Sequence, residues 1–208
     1  PQLLLLDEPL ANLDRSAAQQ CLSCLMRINK EHDLPMIYVS HQIEEVSTIA
    51  DHILLLETGR VSEQGSLLEL ASQLDTQLAE DEAAASLLAV EIASRDEDFG
   101  LIELHVDGQS LWVAGEGHQG STRRLRIPAR DVSICRDRPF NTSIQNILAV
   151  TLLEIRQLSN AHCLLRLQLS QQCLLARITR RSQENLKLKT GDKLYAQIKS
   201  TALLGDSL

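Results

Sequence analysis

Aromatic residues are scarce in this chain of 208 residues, which has two Phe, two Tyr and one Trp. So few rings offer little for nucleic-acid bases to stack on, and the cores must be aliphatic. Positive charge is also in short supply: 20 Lys and Arg stand against 28 Asp and Glu, a net charge of −8. That balance argues against general affinity for phosphate backbones, so nucleic acid is not an expected partner and an anionic ligand needs a local site. No apolar run approaches the roughly 20 residues of a membrane span, since Leu3–Leu6 and Ile53–Leu56 are short, and no cationic, cleavable leader precedes them. The five cysteines are an odd set without the paired spacing of a disulfide framework or zinc knuckle, which points to a reducing compartment. Cys21 and Cys24 form a lone C-x-x-C in a helical pattern whose apolar face runs Ala18, Cys21, Leu22, Leu25 and Ile28, so buried thiols are expected. The six histidines show no ligand-like pairing.

What is present is a globular balance, 44% hydrophobic and 23% charged, with room for one large or two small domains. The chain opens on Pro1 and turns apolar at once, so it is expected to begin inside a structural element, as if cut from a longer protein. Leu3–Leu6, ending in Asp7-Glu8-Pro9, reads as a strand buried on both faces. A helix over Ser16–His32, capped by Asp14 or Ser16, and a second buried strand at Met36–Ser40 complete a βαβ unit. A short helix over 42–51, a hairpin of Ile53–Glu57 and Arg60–Gln64 around Thr58-Gly59, and a helix from Gly65 to Ala71 follow. The acidic, Gln- and Ala-rich stretch 76–85 reads as a linker. Beyond it come short strands near Ala89–Ser94, Leu101–Val106, Ser110–Val113 and Arg124–Ile127, a β lobe over 86–138. The last region, 139–208, opens on a short helix at Ser143–Leu148. Strands follow at Val150–Arg156, at Cys163–Leu169, through Leu174–Ile178 and at Leu194–Ser200, with a helix at Ser182–Leu188. The expected fold class is α/β followed by an all-β, OB-like domain.

Leu3-Leu4-Leu5-Leu6-Asp7-Glu8-Pro9 matches the Walker B pattern of nucleotide-hydrolysing machines, and Ala11-Asn12-Leu13-Asp14 follows at the spacing of the D-loop in ABC ATPases. His41, 27 residues past Asp14, ends the next strand in Val39-Ser40-His41-Gln42, as the switch-histidine loop does. Each piece lies at a strand's carboxyl end, where such sheets bind ligands. Asp7 is expected to hold Mg²⁺ through water, Glu8 to polarise the attacking water, and His41 to hydrogen-bond that water and the γ-phosphate of ATP. Asp14 is expected at the seam of a dimer. No G-x-x-x-x-G-K-[ST] occurs, nor the L-S-G-G-Q signature or Gln loop that normally precede Walker B. The 208 residues alone are therefore expected neither to bind ATP tightly nor to hydrolyse it.

With these motifs the chain resembles the ATP-binding subunit of the bacterial molybdate ABC importer, across what corresponds to that family's second half. Arg126-Ile127-Pro128-Ala129-Arg130-Asp131-Val132-Ser133-Ile134 is similar to a stretch of its TOBE-type domain. Thr142–Leu148, Ala176–Ser182 and Ala196–Ser200 resemble its Mop, or molybdate-binding, module. The resemblance implies an oxyanion site for molybdate or tungstate, with donors from Ser143, Gln145, Thr179 and Ser182 and a charge from Lys199. A doubly charged tetrahedral oxyanion suits hydroxyls, free N–H groups at helix starts and one cation. In the family these pieces meet between two chains, so a homodimer is implied. Where the family often carries Arg, this chain has Gln145, a change worth about 1–3 kcal/mol of oxyanion affinity if the contact is buried. The resemblance also implies transmembrane permease subunits as partners, indirectly a periplasmic molybdate-binding protein, and a peripheral place on the cytoplasmic face of the inner membrane. A non-enzymatic molybdate store or sensor, or the ATPase of another oxyanion importer, is the alternative.

Overall fold

The computed structural model describes residues 1–71, 74 and 84–199. The chain divides into two compact units, with the boundary between Leu67 and Leu68. Most of the expected linker, residues 76–83, lies outside the described residues, while Ala84 is buried and Ala85 already begins a strand.

In the first unit β1 (Leu4–Asp7) and β2 (Met36–Val39) run parallel, in register from Leu4 with Met36 to Asp7 with Val39. They are joined by α1 (Arg15–His32). Asp14 caps α1 by accepting from the Ala17 N–H at 2.9 Å, and Asp33 ends it in the left-handed region at φ 47°. The cap leaves Ser16 inside the helix. Two expectations fail here. The strands are not buried on both faces: Leu5 is 67% and Ile37 54% exposed, while Leu4, Leu6, Met36 and Tyr38 on the other face are half-buried. A continuous apolar run permits two covered faces, but the second layer must come from elsewhere. Cys21 and Cys24 are exposed, although Leu22 of the expected face is buried and Ala18, Leu25 and Ile28 are half-buried. Next come α2 (Ile43–Ile49) and the hairpin of β3 (His52–Glu57) and β4 (Arg60–Ser66), which turns at Thr58-Gly59 as expected. A one-turn helix, α3 (Leu67–Leu70), follows, later than expected because Gly65 still pairs in β4.

The second unit is built on two long strands. β5 (Ala85–Asp96) and β10 (Asn146–Gln157) each have 12 residues and a bulge, between Ile92 and Ser94 in one and Leu152 and Glu154 in the other. A bulge bends a strand and sharpens its twist, and each long strand pairs with different neighbours in its two halves. β5 pairs with β8 (Thr122–Pro128) through its first half and with β6 (Leu101–Val106) through its second; β6 then pairs with β7 (Gln109–Ala114). β10 pairs first with β13 (Lys193–Ile198), then with β11 (His162–Gln168), which pairs with β12 (Cys173–Thr179). β9 (Val132–Cys135) pairs with β13, so a strand from the 86–138 stretch belongs to the sheet of the following region.

The edges between the two sheets are joined by side-chain amides. Gln109 accepts from the Ala149 N–H at 2.7 Å and donates to the Ala149 carbonyl at 3.0 Å. Asn146, fully buried, does the same to Trp112 at 2.7 and 2.9 Å, and Gln172 to Ala89 at 2.7 and 3.0 Å. Each amide imitates a strand residue, satisfying backbone groups that would otherwise be left unpaired. One aliphatic core, from Leu88 and Ile102 to Leu165 and Ile198, runs through both sheets. The helix expected at Ser143–Leu148 is absent: Ser143–Gln145 is irregular and Asn146 begins β10, its burial alternating with Leu148 and Val150 inward. The second expected helix is present but earlier, as α4 (Arg180–Asn185).

Candidate functional site

The parallel pairing of β1 and β2 brings Asp7, Glu8 and His41 to one end of the first unit. Asp7 is the last residue of β1, and the Glu8 N–H extends the pairing by donating to the Val39 carbonyl at 2.9 Å. Glu8 sits at φ 46°, in the left-handed region that costs a residue with a Cβ. Its Oε1 lies 2.7 Å from His41 Nδ1 and accepts from the His41 backbone N–H at 3.1 Å. Glu8 Oε2 is buried and lacks a hydrogen-bond partner among the described residues. The imidazole, 76% exposed, is held above the ordinary histidine range first by the Glu8 hydrogen bond and then by its charge. Glu8 and His41, expected to share a water, therefore touch directly. Asp7 is exposed beside them, and Asp14 is occupied in capping α1.

One participant escaped the sequence reading. Glu45, buried on α2, accepts at Oε2 from the Tyr38 hydroxyl and from Ser40 Oγ, each at 2.8 Å. The only sequence signal was a glutamate four residues after His41, which spacing does not separate from the exposed Glu44 beside it.

The residues expected to bind an oxyanion fall into two groups in the second unit. Gln145 and Lys199 both flank the Asn146–Ile198 pair at one end of β10, with Ser143 two residues before Gln145. Thr142 Oγ1 accepts from the Ile144 N–H at 3.1 Å, which shapes the turn there. The other group caps α4: Thr179 Oγ1 accepts from the Ser182 N–H at 3.1 Å and lies 2.8 Å from Ser182 Oγ. Thr179 pairs with His162, and β11 reaches the opposite end of β10, where Cys163 pairs with Gln157. Twelve residues of strand, about 36 Å along an uncurved chain, separate the two ends. Within one chain the two groups are not brought together. Beside the first, an open groove of about 600 Å³ is lined by Phe99, Trp112, Phe140, Thr142 and Gln145 among others, with both phenylalanines exposed.

A family model for the TOBE domain matches residues 142–204. The molybdenum import ATP-binding protein ModC 1 of Azotobacter vinelandii is 42% identical over 207 residues, covering 99% of this chain and 57% of that protein. The molybdenum import ATP-binding protein ModC of Aromatoleum aromaticum is 40% identical over 205 residues, covering 98% of this chain and 54% of its own length. The chain thus spans little more than half the length of these relatives. Among solved structures, the cytoplasmic molybdate-binding protein ModG, in a form with molybdate bound, superposes with a TM-score of 0.51 at 18% identity, over 57% of this chain and 93% of that one. That likeness supports an OB-like fold for the C-terminal region. By sequence, then, the chain is similar to the molybdenum import ATP-binding proteins over little more than half of their length, and its residues 142–204 match a TOBE domain.

Proposed function

We propose that the chain supplies the water-activating half of an ATP-hydrolysing subunit that drives molybdate import, together with an oxyanion-sensing domain. The contact between Glu8 and His41 at the carboxyl ends of two parallel strands carries this reading. A carboxylate with one oxygen on an imidazole and the other buried and unpartnered is placed to accept a proton from water. The imidazole positions that water and a terminal phosphate oxygen. Asp7 would hold Mg²⁺ through water, and the ion would neutralise charge on the phosphates of ATP. Among the described residues no cluster of three or more His, Cys, Asp or Glu is spaced to hold a metal ion. Asp14, with its carboxylate committed to α1, would act at the dimer seam through the orientation of that helix.

The separation of Ser143, Gln145 and Lys199 from Thr179 and Ser182 supports an oxyanion site completed by a second copy, one chain giving each end. In this reading the subunit is a homodimer on the cytoplasmic face of the inner membrane. It works on transmembrane permease subunits and, through them, with a periplasmic binding protein. Molybdate and tungstate, alike in size and charge, compete for the same site. No helix among the described residues is long and apolar enough to cross a membrane.

Three measurements test this. In the ATPase that contains this segment, Glu8→Gln abolishes turnover while nucleotide binding persists, and wild-type turnover overturns the assigned role. The 208-residue chain alone shows no Mg²⁺-dependent hydrolysis. Calorimetric titration of the chain with molybdate, tungstate and sulfate gives heat with the first two. No heat from any of them removes the sensing domain.

A further inference from the structure

We propose that Glu45 is the positioning residue of this site: its buried carboxylate, bonded to Tyr38 and Ser40, holds the turn that presents His41 to Glu8. Tyr38 and Ser40 lie two apart in an extended chain, so both side chains leave the same face of the sheet. That shared face lets a single oxygen, Glu45 Oε2, accept from both at 2.8 Å. Ser40 Oγ in turn accepts from the Gln42 N–H at 3.1 Å, so the residues on either side of His41 are tied to one carboxylate. The His41 N–H, between them, is aimed at Glu8 Oε1 at 3.1 Å.

Burial makes this arrangement informative. Glu45 is only 6% exposed, and a carboxylate taken out of water is costly unless donors meet it. The Tyr38 hydroxyl is kept protonated, its pKa raised first by burial and then by its hydrogen bond to Glu45, so it remains a donor. His41 is largely exposed, so packing of its own ring does little to orient it. Its direction depends on the turn, and the turn depends on Glu45. The cap of α2 supplies no substitute, because Gln42 makes no side-chain bond to the helix start.

The inference rests on the reading of Glu8 and His41 as the hydrolytic pair, and its test is independent of turnover. Backbone amide exchange is followed by NMR in the 208-residue chain and in Glu45→Ala, Glu45→Gln and Ser40→Ala variants. Exchange at the His41 amide accelerates about tenfold or more in Glu45→Ala and Ser40→Ala. In Glu45→Gln, whose amide oxygen still accepts both hydroxyls, it stays within about twofold of wild type. Amides of α1 between Cys21 and Ile28 keep their rates in all three. An unchanged His41 rate in Ser40→Ala overturns the proposal, as does an equal acceleration throughout α1, which marks general loosening. Should Glu45→Ala fail to fold, Ser40→Ala decides alone, since it removes the bond from loop to carboxylate and leaves the charge in place. Wild-type ATP turnover in Glu8→Gln would instead remove the hydrolytic reading while leaving the exchange result standing.

Discussion

At the residue scale, the Glu8–His41 contact makes a titration prediction. Glu8→Gln brings the His41 pKa down toward the ordinary value near 6.5, read from the imidazole resonances. The sign follows from linkage: a histidine raised in the folded state adds stability that is complete below its unfolded pKa. That stability is lost as pH rises through the folded one. In the second unit Asn146 is fully buried and bonded through both atoms of its amide. Asn146→Ala leaves the Trp112 N–H and carbonyl without their partner in a dry interior, so urea denaturation should report a loss of about 2–4 kcal/mol. Asn146→Asp keeps the acceptor and loses the donor, and adds a buried charge, so it is no milder. The second prediction concerns a side chain meeting backbone, a pairing that residue types alone do not reveal.

At the element scale, the hairpin tip at Asp107 is fixed by charge. Asp107, itself at φ 48°, accepts at Oδ2 from the N–H groups of Ser170, Gln171 and Gln172 at 3.0, 2.7 and 2.8 Å. Burial pushes its pKa up, but the three N–H groups outweigh that and leave it below the usual carboxylate value. A carboxylate lowered in the folded state stabilises above its unfolded pKa, near 3.8, and the gain is lost as pH falls through the folded value. Thermal melts should therefore show a decline below about pH 4 that Asp107→Asn flattens. At α4, Thr179→Ala should cost about 0.5–2 kcal/mol by removing the cap on Ser182.

Elements with a local signal were legible in sequence. Asp14 before an amphipathic run gave α1, Thr58-Gly59 gave the β3–β4 turn, the Leu run gave β1 and the apolar stretch Met36–Val39 gave β2. The start of β10 was not. Ser143 followed by Ile144, Gln145 and Asn146 is compatible with a capped helix, and the strand wins because Asn146 docks on Trp112, 34 residues away. The exposed outer faces of β1 and β2 escaped for a related reason: apolarity says which residues accept cover, while the cover itself is a tertiary fact. Of the site, Glu8 and His41 could be named from their motifs. Glu45 could not, because its partners are set by the turn of α2 back toward β2.

At the scale of the whole molecule, the bent strands β5 and β10 make the second unit a closed system. Each gives its halves to different neighbours, and the remaining edges are met by Gln109, Asn146 and Gln172. Residues 86–138 and 139–198 thus share a core and should unfold together, as one calorimetric transition whose van't Hoff and calorimetric enthalpies agree. A split of the second unit's own transition, apart from any that belongs to the first unit, would show that the sheets are separable.

Trp112, the sole indole of the chain, has its backbone gripped by Asn146 and its ring in the groove that Gln145 also lines. An intrinsic fluorophore thus lines the same groove as the anion candidate Gln145. Emission from the untagged protein can report occupancy of that end in real time, and a silent spectrum during saturation would count against a ligand seated beside Gln145.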